Sequence, residues 1–364
     1  MAALALLGCG GDISVPPAPA DAAATERQAA AFVEAMKPRR SERPVIAVLA
    51  LNEGTETTDF LLTHAVLQRS GVADVQAVAP RSGRVSLYPA LEVDGAQDLA
   101  SFDRAHPSGA DYVIVPAMQD DDVPAITGWL KQQAGRGARI IGVCVGVQVV
   151  GRAGLLDGRR FTTHWFSRST VLDRHPTARY VPHQRYVVDR DVATTTGITA
   201  SVPTMLALVE AIGGREKAQA LAGELGVSAW SPAHDSTRFG LNAARRTDYV
   251  LNKIAFWRHE RWTVAVHEGM DDIALAFAAD AWSRTGRVRV VAAGPGPVKL
   301  QSGLSLVVPA AEGAAPRLTL TAALKPVQQL DRTLCEIFRH FGAVSRERVM
   351  MELEYDAAAN ACAG

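Results

Sequence analysis

The sequence has no excess of either charge and no cysteine spacing of the kind that binds metals. Its 38 Lys and Arg residues balance 38 Asp and Glu residues, so the formal net charge is zero. A nucleic-acid-binding protein would show a basic excess or stripe, so no nucleic-acid partner is expected. Cys9, Cys144, Cys335 and Cys362 form no CxxC pair, and the nine histidines are scattered. We therefore expect no metal site and no cofactor, and the cysteine pattern leaves disulfide pairing open.

The sequence also lacks an apolar run that is long enough to span a membrane. The first residues are apolar, however, and LLGC at residues 6–9 resembles a bacterial lipobox, whose cysteine is lipidated during export. A tether rich in Pro and Ala follows at residues 15–24. The apolar run is short for a signal peptide and has no basic segment, so the alternative is a disordered tail on a cytoplasmic protein. The sequence favours export to the periplasm, with membrane contact only through a lipid anchor at Cys9.

The pattern of apolar residues predicts the fold class. Helix patterns alternate with buried β-type runs, which give strands at 45–51, 75–79, 112–116 and 139–143 and helices at 59–69 and 123–134. This alternation predicts an α/β fold with a doubly wound, mostly parallel sheet between helices, of the flavodoxin type. The length of 364 residues suggests two domains.

The second half of the chain follows the same order of elements as residues 45–93. A strand with its loop, a helix, a strand and two short extended pieces are predicted at 261–269, 274–285, 287–293, 298–300 and 304–308. Both helices end alike, on Arg-Ser-Gly at 69–71 and on Arg-Thr-Gly at 284–286. We interpret this order as a partial internal duplication. The predicted divisions are a lipoprotein-like signal and linker at 1–44, an α/β domain at 45–225 and a second, partial α/β repeat at 226–364.

A Gly-x-Cys-x-Gly turn follows the strand predicted at 139–143. This arrangement is typical of a nucleophile elbow, in which a sharp turn presents the side chain of Cys144 at the edge of the sheet. Gly142 and Gly146 are expected because a Cβ at either position would clash with neighbouring backbone. The helix that follows would direct its positive end at the sulfur and favour the thiolate. The alternative is a buried core cysteine between incidental glycines.

The positions of other residues favour the functional interpretation of Cys144. Asp59, the Ala117-Met118 pair and Cys144 each lie just beyond the end of a predicted strand. Open α/β sheets bind ligands outside the carboxyl ends of their strands. Cys335, in contrast, lies in helical sequence, where a core or surface role is expected.

Four segments together resemble the ThiJ/PfpI superfamily, which has the class I glutamine-amidotransferase-like α/β fold. They are GVCVG at 142–146, AGLLDGRR at 153–160, TTHW at 162–165 and TTTGITA at 194–200. The resemblance spans about residues 45–226. Within the superfamily it is to isonitrile hydratase and to the sensor domains of AraC-type regulators.

The resemblance implies roles for three side chains. Cys144 corresponds to the nucleophile, and Asp59 to the acidic residue that faces it and moves protons. Asp59 is equally well placed to be a helix N-cap, and one residue can do both. His164 belongs to the TTHW segment and would approach from a neighbouring loop, where we expect it to support the site indirectly.

Two departures from the family pattern make the predicted site more apolar. Ala117 and Met118 replace a Gly-Gly pair whose N–H groups build an oxyanion hole, so the amides of Met118 and Val145 are the predicted donors. Val145 also replaces the histidine of peptidase-like members and the threonine of isonitrile hydratase. A Cys–His dyad of the peptidase kind is therefore not expected.

Three functions remain open. In the first, which the sequence favours, Cys144 is an accessible thiol of low pKa that attacks a small electrophile such as an isonitrile, nitrile, amide or reactive carbonyl. In the second, the protein binds a small molecule as a sensor or scaffold without catalysis. In the third, Cys144 is oxidised reversibly as a redox sensor. Residues 226–364 would serve as an intramolecular pseudo-dimer partner, and a homodimer is the alternative.

Overall fold

A computed structural model of the chain describes residues 15, 21–40, 43–240, 260–309, 318–356 and 362. Within these ranges the strands are β1 (Val45–Leu49), β2 (Thr55–Glu56), β3 (Asp74–Ala79), β4 (Gly83–Tyr88), β5 (Glu92–Asp98), β6 (Tyr112–Val115), β7 (Arg139–Gly142), β8 (Arg160–Phe161), β9 (Arg179–Tyr180), β10 (Tyr186–Asp189), β11 (Val192–Thr195), β12 (Glu260–Ala265), β13 (Val288–Ala293), β14 (Val298–Lys299) and β15 (Ser305–Leu306). The α-helices are α1 (Ala22–Ala35), α2 (Thr57–Ser70), α3 (Leu99–Ala105), α4 (Pro124–Gly135), α5 (Val147–Arg152), α6 (Arg168–Arg174), α7 (Ser201–Gly213), α8 (Arg215–Leu225), α9 (Asp272–Arg284) and α10 (Gln328–Leu353).

Most strands belong to one sheet, in the order β10-β11-β7-β6-β1-β3-β5-β15-β14. The strands from β11 through β7, β6, β1 and β3 to β5 pair in parallel, whereas β10 at one edge and β15 near the other pair antiparallel. The ends of β1, β6 and β7 are therefore neighbours. The doubly wound, mostly parallel α/β architecture expected from the alternation of strands and helices is confirmed.

The central strands are buried on both faces. Along β1, Ile46 and Val48 pack into one apolar cluster, and Ala47 and Leu49 pack into another on the opposite face. The first cluster includes side chains of α2, α7 and α9, and the second includes side chains of α4 and α5. Because successive residues of a strand point to opposite faces, an uninterrupted apolar run fits a strand that has helices on both sides.

The C-terminal elements pack directly on the elements that precede them in the chain. β12 and β13 form a separate parallel pair, whereas β15 joins the main sheet next to β5. The strands and helix expected between residues 261 and 308 all form, and the helical sequence around Cys335 forms a helix that extends to Leu353 with a kink at Gly342. The internal duplication, the domain boundaries and the intramolecular pseudo-dimer stay predictions.

Helices α2 and α9 run antiparallel and exchange ion pairs at both ends. Arg69, at the end of α2, binds Asp271 at 2.7 Å and Asp272 at 2.5 Å at the start of α9. Arg284, at the end of α9, binds Glu56 just before α2 at 2.6 Å. Asp271 and Glu56 are also the N-caps of their own helices. Each helix thus begins with an acidic side chain that the terminal arginine of the other helix binds.

Two further features concern the chain ends. A disulfide joins Cys335 in α10 to Cys362. The lipobox and Cys9 lie outside the described residues. Within the described ranges, no helix has the length and apolar character needed to cross a membrane.

The ion pairs between α2 and α9 predict a large effect of Arg69→Met. Asp272 is fully buried, so removing the arginine leaves an uncompensated carboxylate in the interior. We expect the free energy of unfolding, measured by urea titration, to fall by about 3 kcal/mol. The control is Arg84→Met, whose arginine is 70% exposed beside Glu92, and it should cost less than about 1 kcal/mol. Equal effects of the two substitutions would show that the helix pair does not depend on this contact.

Candidate active site

The strand-to-helix turn after β7 places Cys144 at the carboxyl edge of the sheet. Cys144 has a φ of 56° and begins a short 3-10 turn that leads into α5. Non-glycine residues rarely adopt this left-handed conformation, and they do so mainly where surrounding contacts hold them. Here the Cys144 amide donates to Oγ1 of Thr195 at 3.2 Å, and its carbonyl accepts from Oγ1 of Thr163 at 2.9 Å.

The two glycines of the turn have unequal roles. A Cβ at Gly146 would lie 2.1 Å from the carbonyl oxygen of Val115, which belongs to the backbone of β6. A Cβ at Gly142 would lie 3.0 Å from Cγ2 of Val150 and 3.3 Å from the backbone Cα of Val147. Gly146 is therefore required for the turn to approach β6, whereas a Cβ at Gly142 would need shifts of a few tenths of an ångström in Val147 and Val150.

Asp59 lies in the first turn of α2 and reaches the end of β6. Its Oδ2 accepts a hydrogen bond from the amide of Ala117 at 3.1 Å. Its Oδ1 is buried and has no hydrogen-bond partner among the described residues. The N-cap of α2 is Glu56, whose Oε2 accepts from the Asp59 amide at 2.6 Å. The alternative role of Asp59 as the helix N-cap is therefore wrong, and its carboxyl is left to face the site.

A cluster of buried acidic side chains surrounds Arg284 next to Asp59. The guanidinium contacts Glu56 at 2.6 Å, Asp280 at 2.7 Å and Glu352 at 3.4 Å. Although burial disfavours its charge, these carboxyls raise the pKa of Arg284 well above its usual value. Sequence reasoning did not identify this cluster, and its only signal was the repeated Arg-small-Gly ending of the two helices.

The environment of Cys144 favours the thiol over the thiolate. Burial, followed by the charges of Asp59, Glu56 and Glu354, raises the pKa of Cys144 well above its usual value. The residue is only 3% exposed. The expectation of an accessible, low-pKa thiol activated by a helix dipole is therefore wrong. The helix α5 has only six residues, and its small dipole competes with desolvation and with several carboxyls.

Asp59 titrates near neutrality. Burial raises its pKa to about 7, while the amide of Ala117, the charge of Arg284 and the thiol of Cys144 act in the opposite direction. Burial, together with Asp280 and Asp59, also raises the pKa of Glu56. Asp59 can therefore both accept and donate a proton near pH 7, as a general acid–base group requires.

His164 supports the neighbouring loop. Its Nδ1 accepts from the Phe166 amide at 3.2 Å, and its Nε2 lies 3.0 Å from the carbonyl oxygen of Glu352, to which it donates. Burial lowers the pKa of His164 to about 3. The imidazole is therefore neutral with both nitrogens engaged, so its contacts suit a structural contribution and not proton transfer.

The amides of Val145 and Met118 remain the predicted oxyanion donors. Val145 directly follows the nucleophile candidate, and Met118 bridges to Thr55 beside the loop that leads into α2. Neither amide donates a hydrogen bond to another residue of the described ranges. Among those residues, no group of three or more His, Cys, Asp or Glu side chains is arranged to hold a metal ion.

The end of α10 covers the site. The carbonyl of Met351 accepts from Nε1 of Trp165 at 2.9 Å, and the carbonyl of Glu354 accepts from Oγ1 of Thr199 at 2.8 Å. Trp165 and Thr199 belong to the TTHW and TTTGITA segments. Residues 351–356, which we call the C-terminal cover, thus lie over the loops around Cys144. Nothing in the sequence pattern of this segment indicated that position.

Comparison with known proteins identifies a family model and relatives that match the part of the chain around Cys144. The DJ-1/PfpI family model matches residues 45–211. Isonitrile hydratase of Pseudomonas putida is 35% identical over 114 residues, which are 31% of this chain and 46% of that protein. The HTH-type transcriptional regulator CdhR of Pseudomonas aeruginosa is 30% identical over 125 residues, 33% of this chain and 37% of the regulator. The chain thus spans less than half of the length of these two relatives.

Two further proteins match this chain over most of their own length. A Streptomyces lividans protein, described as the uncharacterized protein in the cpoL 5' region, is 33% identical over 123 residues, 30% of this chain and 87% of that protein. The crystal structure of a ThiJ/PfpI family protein from Pseudomonas syringae has 21% identity and a TM-score of 0.49, and covers 58% of this chain and 87% of that chain.

The raised pKa of Asp59 predicts a pH-dependent effect of Asp59→Asn. The native carboxyl titrates at about 7 and the unfolded one near 3.8, so the native state holds a proton that the unfolded state loses between these values. Wild-type stability therefore falls as pH rises through this window. Asparagine cannot ionise, so from about pH 5 to about pH 8, which crosses about two pH units of this window, the variant should gain about 3 kcal/mol relative to wild type.

Urea unfolding at the two pH values measures this difference. The control is Asp157→Asn, at an exposed loop position, whose stability relative to wild type should change little with pH. A difference between Asp59→Asn and wild type that is the same at both pH values would contradict the raised pKa.

Proposed function

Because this chain belongs to the DJ-1/PfpI family, we propose that it is a cysteine-dependent hydrolase or hydratase that acts on a small electrophilic molecule through Cys144. The observation that supports this proposal is the buried, unpartnered Oδ1 of Asp59 beside the thiol. An orphaned buried acceptor costs free energy in the folded protein and is common at functional sites. With a pKa of about 7, the carboxyl of Asp59 is suited to take the thiol proton during attack.

The chemistry can be written for an isonitrile, the substrate class in the name of one relative. Asp59 takes the proton of Cys144 as the sulfur bonds to the terminal carbon, and then delivers that proton to the same carbon. The product of this step is a thioimidate. Water adds to its C=N bond, which places OH on carbon and H on nitrogen. The C–S bond then breaks, the hydroxyl proton returns to the sulfur through Asp59, and an N-substituted formamide leaves.

The surroundings of the thiol suit a step in which ionisation and attack occur together. The raised pKa of Cys144 means that little free thiolate exists beforehand. A thiolate formed only as the new S–C bond develops would not need long-lived charge in this buried site. The amides of Val145 and Met118 would bind negative charge that develops on an oxygen or nitrogen of the substrate.

A ligand-sensing role is the second candidate. The burial and raised pKa of Cys144, and the C-terminal cover over the site, favour a protein that binds without turnover. One of its relatives is a transcriptional regulator, so the family fold also occurs in proteins that are not described as enzymes. Under this proposal the site would report binding through movement of the cover.

We also propose that the site works outside the cytoplasm. Disulfides persist mainly in oxidising compartments such as the periplasm. The pairing of Cys335 with Cys362 supports this location, in agreement with the lipobox-like segment that ends at Cys9.

Cys144→Ala and Asp59→Asn test the enzymatic proposal. With an aryl isonitrile as substrate and formamide formation followed by chromatography, each variant should lose about 10³-fold or more in kcat/KM, because each removes a group that the bond-making step uses. Glu336→Gln, at a half-buried position of α10 where the carboxyl pairs with Arg332, is the control and should keep wild-type turnover.

Two outcomes decide between the candidates. Full turnover by both site variants would overturn the assignment of Cys144 and Asp59. Absence of product from wild type across isonitriles, nitriles, amides and reactive carbonyls, with ligand-induced thermal stabilisation that Cys144→Ser retains, would establish the sensor instead.

A further inference from the structure

The C-terminal cover is bound to the two loops whose threonines hold the backbone of Cys144. In the TTHW loop, the amide of Trp165 donates to Oε1 of Glu354 at 2.6 Å, and its Nε1 donates to the carbonyl of Met351. In the TTTGITA loop, the amide of Gly197 donates to Oε2 of Glu354 at 2.7 Å. The cover and the turn that carries the thiol therefore share the same two supporting loops.

The cover takes part in closing the site. Cys144 is 3% exposed and Asp59 is fully buried, so a ligand reaches them only after a surrounding element moves. The side chain of Met351 packs against Trp165 in a small apolar cluster. The charge of Glu354 raises the pKa of Cys144, which places the cover within electrostatic reach of the thiol. Detachment of the cover would uncover the loops that enclose the thiol.

Glu354 makes the cover less stable than the core. Its φ of 49° is left-handed, a conformation that residues other than glycine seldom adopt. Burial raises the pKa of its carboxyl to about 7 in spite of the two amide bonds. Backbone strain and desolvation therefore offset part of the free energy that the hydrogen bonds contribute. An element held in this way is expected to open more readily than the central strands.

A disulfide closes a loop that contains the whole cover. Cys335, in α10, is joined to Cys362, 27 residues further along the chain. The cover at 351–356 lies between these two cysteines. Within the cover, the phenol of Tyr355 donates to Oδ1 of Asp331 at 2.7 Å, one helical turn before Cys335. The cover is therefore anchored on both sides, by α10 before it and by the disulfide after it.

The closed loop limits how far the cover can move. A cross-link lowers the conformational entropy that a segment gains when it detaches. It also keeps a detached segment at a high effective concentration near its binding site. Without the disulfide, the chain after Leu353 loses its second anchor, so detachment of the cover becomes more favourable.

We infer that the C-terminal cover is a lid over the Cys144 site, that the disulfide between Cys335 and Cys362 keeps this lid closed, and that reduction by a dithiol opens it. In the oxidised protein the lid stays over the thiol. The inference does not depend on whether Cys144 catalyses a reaction or only contributes to binding.

The opening step is a thiol–disulfide exchange. A thiolate of the dithiol attacks the sulfur of Cys362, which is half-buried, whereas Cys335 is buried. Cys335 leaves as a thiol, and a mixed disulfide forms at Cys362. The second thiol of the reductant then attacks its own first sulfur, so Cys362 also leaves as a thiol and the reductant becomes a cyclic disulfide. Two electrons and two protons pass from the dithiol to the two cysteines.

Alkylation of Cys144 with and without the disulfide tests the inference. The full chain is reduced with dithiothreitol, desalted without oxygen and labelled with iodoacetamide at one fixed pH. Mass spectrometry of the peptide that contains Cys144 gives its labelling rate separately from those of Cys335 and Cys362. The rate should rise about tenfold or more on reduction, because loss of the cross-link raises the open fraction of the lid. In Cys362→Ser the rate should be high before any reductant is added and unchanged by it.

Hydrogen exchange distinguishes opening of the lid from loosening of the whole fold. Reduction should speed exchange in peptides from 162–167, 194–200 and 351–356, while peptides from β1 and α2 keep their protection. Equal labelling rates with and without the disulfide would overturn the inference. So would faster exchange throughout the core, or unfolding of both the reduced protein and Cys362→Ser.

The outcome for the lid is separate from the outcome for the enzymatic proposal. Faster labelling on reduction, without turnover of any electrophile, would leave the lid in place and contradict only the enzymatic proposal. Turnover that requires Cys144, with a labelling rate that reduction does not change, would contradict only the lid.

Discussion

The buried ion-pair cluster around Arg284 is the interaction on which the site depends. The arginine closes helix α9 and binds Glu56 at the start of α2, Asp280 one turn earlier, and Glu352 near the end of α10. Breaking one member of such a cluster leaves buried charges unpaired, which is far more costly than losing a surface pair. Because the cluster links three helices from both halves of the chain, the C-terminal half contributes directly to the electrostatics around Asp59.

Burial, together with the carboxyls near this cluster, explains why the cysteine is not activated in the way its motif suggests. Burial is the main cause of the raised pKa values of Glu56 and Asp59, the charge of Asp280 raises them further, and the single guanidinium of Arg284 offsets only part of this. Additional negative charge on Cys144 is unfavourable for the same reason. The site therefore favours the protonated forms of these groups. Asp59, with a pKa of about 7, is the group that can gain and lose a proton near neutral pH. Whether the protein catalyses or senses, a ligand must enter a closed, proton-rich site.

The parts of the molecule that depend on local pattern could be predicted, and those that depend on distant contacts could not. The apolar runs gave β1, β6 and β7, and the topology of parallel sheets then brought Asp59 and Cys144 together. The protonation of the thiol could not be read from the turn, because it depends on Glu56 and on Glu354, which lies 210 positions further along the chain. The motif indicates where the side chain lies. Burial and neighbouring charge determine its chemical state.

The most direct test of this account is the pH dependence of Cys144 alkylation. Iodoacetamide labelling of the native protein, quantified by mass spectrometry of the peptide that contains Cys144, gives the pH at which the thiol ionises. The account predicts an inflection well above the value of about 8.5 for an unperturbed cysteine, and a lower inflection in Asp59→Asn, where one buried negative charge is removed. An inflection below neutral pH in the wild-type protein would contradict the account.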